Sequence, residues 1–236
     1  MLKRLFDLVF GLSGLLVFSP FILAALFAVW LQDKKNPIYA SKRIGKGAKD
    51  FPFYKIRTMV IGADKAGRHT VGSDDPNVTK LGRFLRNSKL DELLQFYSVI
   101  RGDMSMVGPR PNIAAASKDV FTEREMEIFS VKPGITDFAS IVFSDLDKIM
   151  IGSTDVNHDY TTRIRPWKSR LCLFYVDNAC FAMDVRLLFL TALNFVNRPA
   201  ALKGAEKLLS DYNADAELIA VARRDGRPPE KEPPSS

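Results

Sequence analysis

Thiol and imidazole chemistry are almost absent from this chain. Cys172 and Cys180 are its only cysteines, and His69 and His158 its only histidines, in 236 residues. Two cysteines are too few for a disulfide framework or a thiolate metal site, which fits a reducing compartment. Two isolated histidines argue against a histidine-ligated metal. There is no P-loop, no Rossmann fingerprint, no Ser-His-Asp arrangement and no internal repeat; the lone Gly45-Lys46-Gly47 reads as a turn. Acidic residues are outnumbered, 27 against 34 basic ones, which gives a formal charge of +7. A basic balance of that size points to an anionic partner: nucleic acid, phospholipid or a phosphorylated substrate. The length suits one main domain with appendages.

What the chain does have is a long apolar run. From Leu5 to Leu31 nearly every residue is apolar, with Asp7, Ser13, Ser19 and Pro20 as the main interruptions. About 20 such residues cross a bilayer, so a single span is the default reading. Charge placement argues otherwise. Lys3 and Arg4 precede the run and Lys34, Lys35, Lys42 and Arg43 follow it, so a span would leave one cationic group on the non-cytoplasmic side. Pro20 also removes a backbone donor near the middle and predicts a kink. A re-entrant hairpin that bends at Ser19-Pro20 and returns to the same face meets both constraints.

The remainder reads as α+β and mainly helical, with a short β-hairpin. Residues 1–33 form the membrane helix, 34–200 a small catalytic domain, and 201–236 a C-terminal helix and disordered tail. Tyr54 to Met59 alternates as a strand would, with Lys55 and Arg57 on one face. Residues 62–77 read as a polar loop. A short helix covers Leu81 to Leu85. The next is expected to start at Ser88 as N-cap, with an apolar stripe of Leu90, Leu93, Leu94, Tyr97 and Ile100, and to stop at Gly102. Arg170 to Val196 fits one or two amphipathic helices, packed on the core or lying in the membrane interface, with Trp167 suited to that interface.

The chemistry centres on Asp91-Glu92. Acidic residues in a first helical turn are stabilised by the helix dipole by about 0.3–1 kcal/mol each, and taken alone the pair reads that way. Its neighbours change the reading. Arg86 and Lys89 lie just upstream, and Arg110 stands between two prolines in Gly108-Pro109-Arg110-Pro111. A guanidinium on a stiffened backbone is a good bidentate phosphate ligand. Mg²⁺ takes one or two carboxylates plus phosphate oxygens, so one acid of the pair suits the metal and its neighbour suits attack on phosphorus.

At these residues the chain resembles the bacterial sugar transferases that prime glycan assembly, the monotopic polyprenyl-phosphate phosphoglycosyl transferases. The resemblance runs through Lys3-Arg4-Leu5-Phe6-Asp7, Ser19-Pro20, Arg43-Ile44-Gly45, Phe53 to Met59, Leu90-Asp91-Glu92-Leu93, Gly102-Asp103-Met104-Ser105, Val107 to Pro111 and Lys132-Pro133-Gly134-Ile135-Thr136. It implies Asp91 as nucleophile on a UDP-sugar, Glu92 as the Mg²⁺ carboxylate, and Lys55, Arg86 and Arg110 as phosphate-binding cations; Arg57, on the strand face of Lys55, is a further candidate for the phosphate. It further implies UMP as leaving group, undecaprenyl phosphate as acceptor, and a re-entrant helix broken at Ser19 and Pro20. The expected location is the cytosolic face of the bacterial inner membrane, among membrane lipids, with no nucleic-acid partner and a homo-oligomer left open. One departure stands out: many members follow Pro-Gly-Ile-Thr with Gly-Trp-Ala-Gln, where this chain has Asp137-Phe138-Ala139-Ser140. Two other readings compete, a membrane-anchored basic scaffold and a Mg²⁺-dependent diphosphate hydrolase.

Overall fold

A computed structural model describes residues 1–63, 75–111 and 121–235. The expected class holds: the chain is mainly helical, with two small sheets among the described residues. Most of the loop expected over residues 62–77 lies outside the described residues.

Helix α1 (Leu2–Asp33) takes up the whole apolar run. The hairpin expected at Ser19-Pro20 is not found, because the helix continues through both residues. Proline leaves the carbonyl four residues back, that of Leu16, without its backbone donor. The Ser19 hydroxyl donates to that carbonyl at 2.8 Å and closes the gap in the ladder. Both ends of α1 nevertheless rest on the same domain. Near its start, Arg4 donates to the carbonyls of Val99 and Ile100, both at 2.7 Å. Near its finish, Ala25 and Val29 are buried with Ile56 and Leu85. Midway, a Cβ on Gly14 would fall 2.5 Å from the ring of Phe96, so only glycine allows this approach. The opposite face, including Leu16, Val17, Phe21, Leu23 and Phe27, is exposed and apolar.

Strands β1 (Ile38–Ile44) and β2 (Asp50–Ile56) form the expected hairpin, turning through Gly47 at φ 68°. Helix α2 (Lys80–Asn87) follows, N-capped by Thr79. Ser88 does not cap the next helix. Its hydroxyl turns back to the Phe84 and Leu85 carbonyls and finishes α2. A 3₁₀ turn (Leu90–Glu92) then leads into α3 (Gln95–Arg101), which ends at Gly102 as expected. The stripe on α3 is also turned: Gln95 and Ser98 are buried while Tyr97 is exposed. Packing against both α1 and β2 sets that orientation, overriding the apolar periodicity.

Strand β3 (Ser105–Val107) pairs in parallel with β4 (Gly134–Thr136). Between them lie α4 (Glu123–Met126) and a 3₁₀ turn (Glu127–Ser130). After β4 come α5 (Phe138–Val142), α6 (Leu146–Ile149), α7 (Val156–Asp159) and a π turn (Tyr160–Ile164). The last helices are α8 (Arg165–Asn178), α9 (Phe181–Val196), α10 (Arg198–Asp211) and α11 (Ala216–Arg223). Phe138, Leu171, Met183, Leu187, Ala205 and Leu209 centre the main core. Of the two helices covering Arg170 to Val196, α9 leaves Phe181, Val185, Phe189 and Val196 exposed. Trp167 is not interfacial: it is buried, and its Nε1 donates to the Pro229 carbonyl at 2.9 Å. Residues 227–235, expected to belong to a disordered tail, are tied to three elements: Pro229 to Trp167 of α8, the Lys231 amide to the Thr162 carbonyl of the π turn, and Pro234 to the Thr122 hydroxyl that caps α4. The prolines that deny this stretch a core of its own also stiffen it into a strap.

Candidate active site

The Asp91-Glu92 pair owes its position to the end of α2. Once Ser88 has closed that helix, Lys89 takes a left-handed conformation at φ 58° and the chain enters the 3₁₀ turn that carries both acids. Leu90 and Leu94 on either side pack onto the cluster of Ala25, Val29, Ile56 and Leu85. The turn that carries the carboxylates is therefore held beside the apolar helix α1.

The two acids sit in different electrostatic surroundings. Asp91 is only 5% exposed. Burial pushes its carboxyl above the usual value, opposed by Lys55, whose Nζ lies 4.0 Å away, and by Lys89 and Arg86, while Glu92 adds to the rise. Burial also works to raise Glu92, but Arg110 and Lys55 outweigh it and hold that carboxyl well below its ordinary range. Lys55 donates to Glu92 Oε1 at 2.7 Å, and Arg110 donates to the same oxygen. Among the described residues Oε2 has no partner.

Arg110 is presented by a tightly tied backbone. Gly108 donates to the Thr136 carbonyl and Gly134 to the Pro109 carbonyl, each at 2.9 Å. A Cβ on Gly108 would lie 2.4 Å from the Lys132 carbonyl, so the crossing needs glycine. With Pro109 and Pro111 limiting the backbone further, the guanidinium starts from a rigid base.

Four of the six candidate site residues thus converge: Lys55, Asp91, Glu92 and Arg110. Arg86 lies close enough to act on Asp91 electrostatically, while its Nε donates to the Thr58 hydroxyl at 2.9 Å. Arg57 is not brought in. Its side chain grips Asp33, with an NH2 to Oδ1 bond of 2.7 Å, and its Nε donates to the Asn36 carbonyl. It lies one residue beyond the end of β2, so it does not share the face of Lys55 that strict alternation predicts.

Two residues had no assigned role in the sequence reading. Arg43 stacks over Phe53 and is buried enough to lower its pKa; Arg110 adds to that effect and Glu92 opposes it. It is thus one more cation beside the Glu92–Arg110 pair, and its signal was the Arg43-Ile44-Gly45 motif. Asp137, the first residue of the departure after Thr136, is fully buried. It caps α5 through the Ser140 amide at 2.6 Å, accepts from the Cys172 thiol, and helps to hold Arg110 protonated.

Among the described residues no three acidic, histidine or cysteine side chains converge as a metal cage. Two adjacent carboxylates with an open Oε2 still fit Mg²⁺, which relies on one or two protein carboxylates and on phosphate oxygens. Cations gathered around a carboxylate pair suit a diphosphate, whose charge they offset.

The family model for bacterial sugar transferases matches residues 1–198. The chain belongs to that family. A Bacillus subtilis (strain 168) protein provisionally named an undecaprenyl-phosphate N-acetylgalactosaminyl 1-phosphate transferase is 42% identical over 123 residues, 52% of this chain and 66% of that one. The undecaprenyl-phosphate galactose phosphotransferase of Salmonella typhimurium (strain LT2) is 31% identical over 85% of this chain but only 41% of its own length. The exopolysaccharide production protein PSS of Rhizobium leguminosarum bv. phaseoli is 31% identical over 84% of this chain and 96% of that protein. This chain therefore spans less than half the length of the Salmonella relative and almost all of the Rhizobium one.

Proposed function

We propose that the chain transfers a sugar 1-phosphate from a UDP-sugar to undecaprenyl phosphate at the cytosolic face of the bacterial inner membrane, a first membrane step of glycan assembly. The observation that carries this reading is the placement of the Asp91-Glu92 turn. It is wedged between the apolar helix α1, through Leu90 and Leu94, and the phosphate-suited cations Lys55 and Arg110. A site at such a boundary serves a polar donor and a lipid acceptor together.

In this reading an Asp91 carboxylate oxygen attacks the phosphorus that bears the sugar. The bond from that phosphorus to the UMP oxygen breaks and UMP leaves, with the phosphosugar held on Asp91 as an acyl phosphate. A phosphate oxygen of undecaprenyl phosphate then attacks the same phosphorus. The Asp91 oxygen departs, giving undecaprenyl-diphosphate-sugar and the free carboxylate. Lys55, Arg86 and Arg110 neutralise phosphate charge and orient the diphosphate. Glu92, with Asp91, is the candidate Mg²⁺ ligand; the ion would neutralise the diphosphate and stabilise its leaving oxygen.

The membrane reading is monotopic. Both ends of α1 are bonded to one domain, and a domain cannot stand on two sides of a bilayer. The exposed apolar face of α1 then meets lipid, and that of α9 extends the same surface where Phe181 meets Phe6, with ring centroids 5.5 Å apart.

The test is purified protein with Mg²⁺, undecaprenyl phosphate and a panel of UDP-sugars. UMP release and a lipid-linked product are expected, with a phosphosugar adduct on the wild type by intact mass when acceptor is left out. Normal turnover by Asp91→Asn would overturn the covalent mechanism.

A further inference from the structure

Lys3, Arg4 and Asp7 are charged residues in the first turns of a long, mainly apolar helix, and burying Asp7 is a costly placement that asks for a reason. Asp7 is 2% exposed and accepts two hydrogen bonds, from the Ser105 hydroxyl at 2.8 Å and the Met106 amide at 2.9 Å. Lys3 Nζ donates to the Val107 carbonyl at 3.0 Å, to the Tyr175 hydroxyl at 3.2 Å and to Asp184 at 2.6 Å. Tyr175 in turn donates to Asp184 Oδ1 at 2.6 Å, and Asp184 is itself buried.

The partners of these two side chains share one strand. Ser105, Met106 and Val107 are the whole of β3. Three residues is the short end of what a strand can be, and among the described residues β3 has a single paired neighbour, β4. On its other side the first two turns of α1 supply the missing hold: an acceptor for Ser105 and Met106, a donor for Val107. Lys3 and Asp7 are four apart, so both reach the strand from one face of the helix. Three residues beyond Val107 stands Arg110.

We propose that Lys3 and Asp7, braced by Asp184, are positioning residues for Arg110: the start of the apolar helix holds β3 in the register that presents the guanidinium to Glu92 and to the substrate diphosphate. The helix is then part of the site's scaffold as well as its anchor. The substrate in this statement rests on the transferase reading above; the hold on β3 does not.

The experiment uses the full chain in phospholipid nanodiscs, with UDP plus Mg²⁺ as the binding probe and amide hydrogen exchange as a second readout. Asp7→Ala is expected to weaken UDP binding about tenfold, the scale of losing hydrogen bonds to a buried charged acceptor. Asp7→Asn, whose carboxamide oxygen still accepts, is expected to recover most of the affinity. Asp7→Ala added to Arg110→Ala is expected to cost little more than Arg110→Ala alone, because both act through one guanidinium. Exchange at the Met106 and Gly108 amides should quicken in Asp7→Ala beyond any global change. Parental UDP affinity in Asp7→Ala, or an effect fully additive to Arg110→Ala, would overturn the proposal. If Asp7→Ala does not fold, Lys3→Met carries the same tests. If the wild type neither binds UDP nor releases UMP from any UDP-sugar, the transferase reading falls. Exchange at Met106 and Gly108 then decides alone: quicker exchange in the variant supports the hold, and unchanged exchange refutes it.

Discussion

At its amino-terminal end, α1 meets the domain through charge: Lys3, Arg4 and Asp7 are bonded to named groups of β3 and α3. At its carboxy-terminal end, Ala25 and Val29 meet Ile56 and Leu85 through apolar contact. Both ends reach the same site, the first through β3 toward Arg110 and the second through Leu90 and Leu94 beside Asp91 and Glu92. The chemistry differs because the tasks differ. Hydrogen bonds are directional and fix a register; apolar contact is non-directional and fixes proximity. One helix thus offers register to the Arg110 arm and proximity to the Asp91-Glu92 pair.

The sharpest break in that comparison lies at the site itself. Asp91→Asn is expected to abolish adduct formation and turnover. Glu92→Gln and Arg110→Ala should each lower kcat/KM by about a hundredfold or more, measured by UMP release. At the apolar end, Val29→Asp places an unpaired charge among Ile56 and Leu85 and should cost about 3 kcal/mol or more in thermal unfolding in detergent. Leu16→Ser on the exposed face should barely move the same melting curve while weakening association with vesicles.

A pH profile sharpens the contrast within the pair. In the proposed mechanism Asp91 would attack only as a carboxylate, and burial raises its pKa above the ordinary 3.8. Activity should therefore fall as pH drops through that raised value, so the acid limb of kcat/KM lies above the usual aspartate range. Glu92, held low by Arg110 and Lys55, stays ionised throughout that limb. In stability the signs oppose. The raised Asp91 takes up a proton more readily when folded and gives back stability as pH rises; the lowered Glu92 adds stability above its unfolded pKa and loses it in acid. The smallest effect belongs to Arg57→Ala, which breaks a surface pair with Asp33 and should leave kcat/KM within about twofold, far short of Arg110→Ala. A loss equal to that of Arg110→Ala would return Arg57 to the phosphate site.

Much of the site was legible because its signals are local. Asp91 and Glu92 are adjacent, Pro109 and Pro111 stiffen the backbone around Arg110, and Lys55 falls on a recognisable strand. Where the reading failed, a partner outside the motif decided, and in every case but Ser88 it is distant along the chain. Ser88 suited an N-cap until its hydroxyl turned back to α2. Trp167 suited an interface until residues 227–235 covered it. The stripe on α3 predicted Gln95 and Ser98 outward, yet α3 packs against both α1 and β2 and buries them. Arg57 lost its place beside Lys55 because Asp33, 24 residues earlier, offers a paired carboxylate.

Composition and order along the chain determined the apolar helix, the hairpin, the acidic pair and the family, since each is written in neighbouring residues. Tertiary structure alone decided that α1 runs unbroken through Pro20 with both ends on one domain. It alone decided which cations reach Glu92, and that Lys3 and Asp7 grip the strand leading to Arg110. The physical reason is range: propensity, turn chemistry and motif spacing act over a few residues, whereas a buried charge must be matched by whatever partner the fold brings to it, here about a hundred residues along the chain.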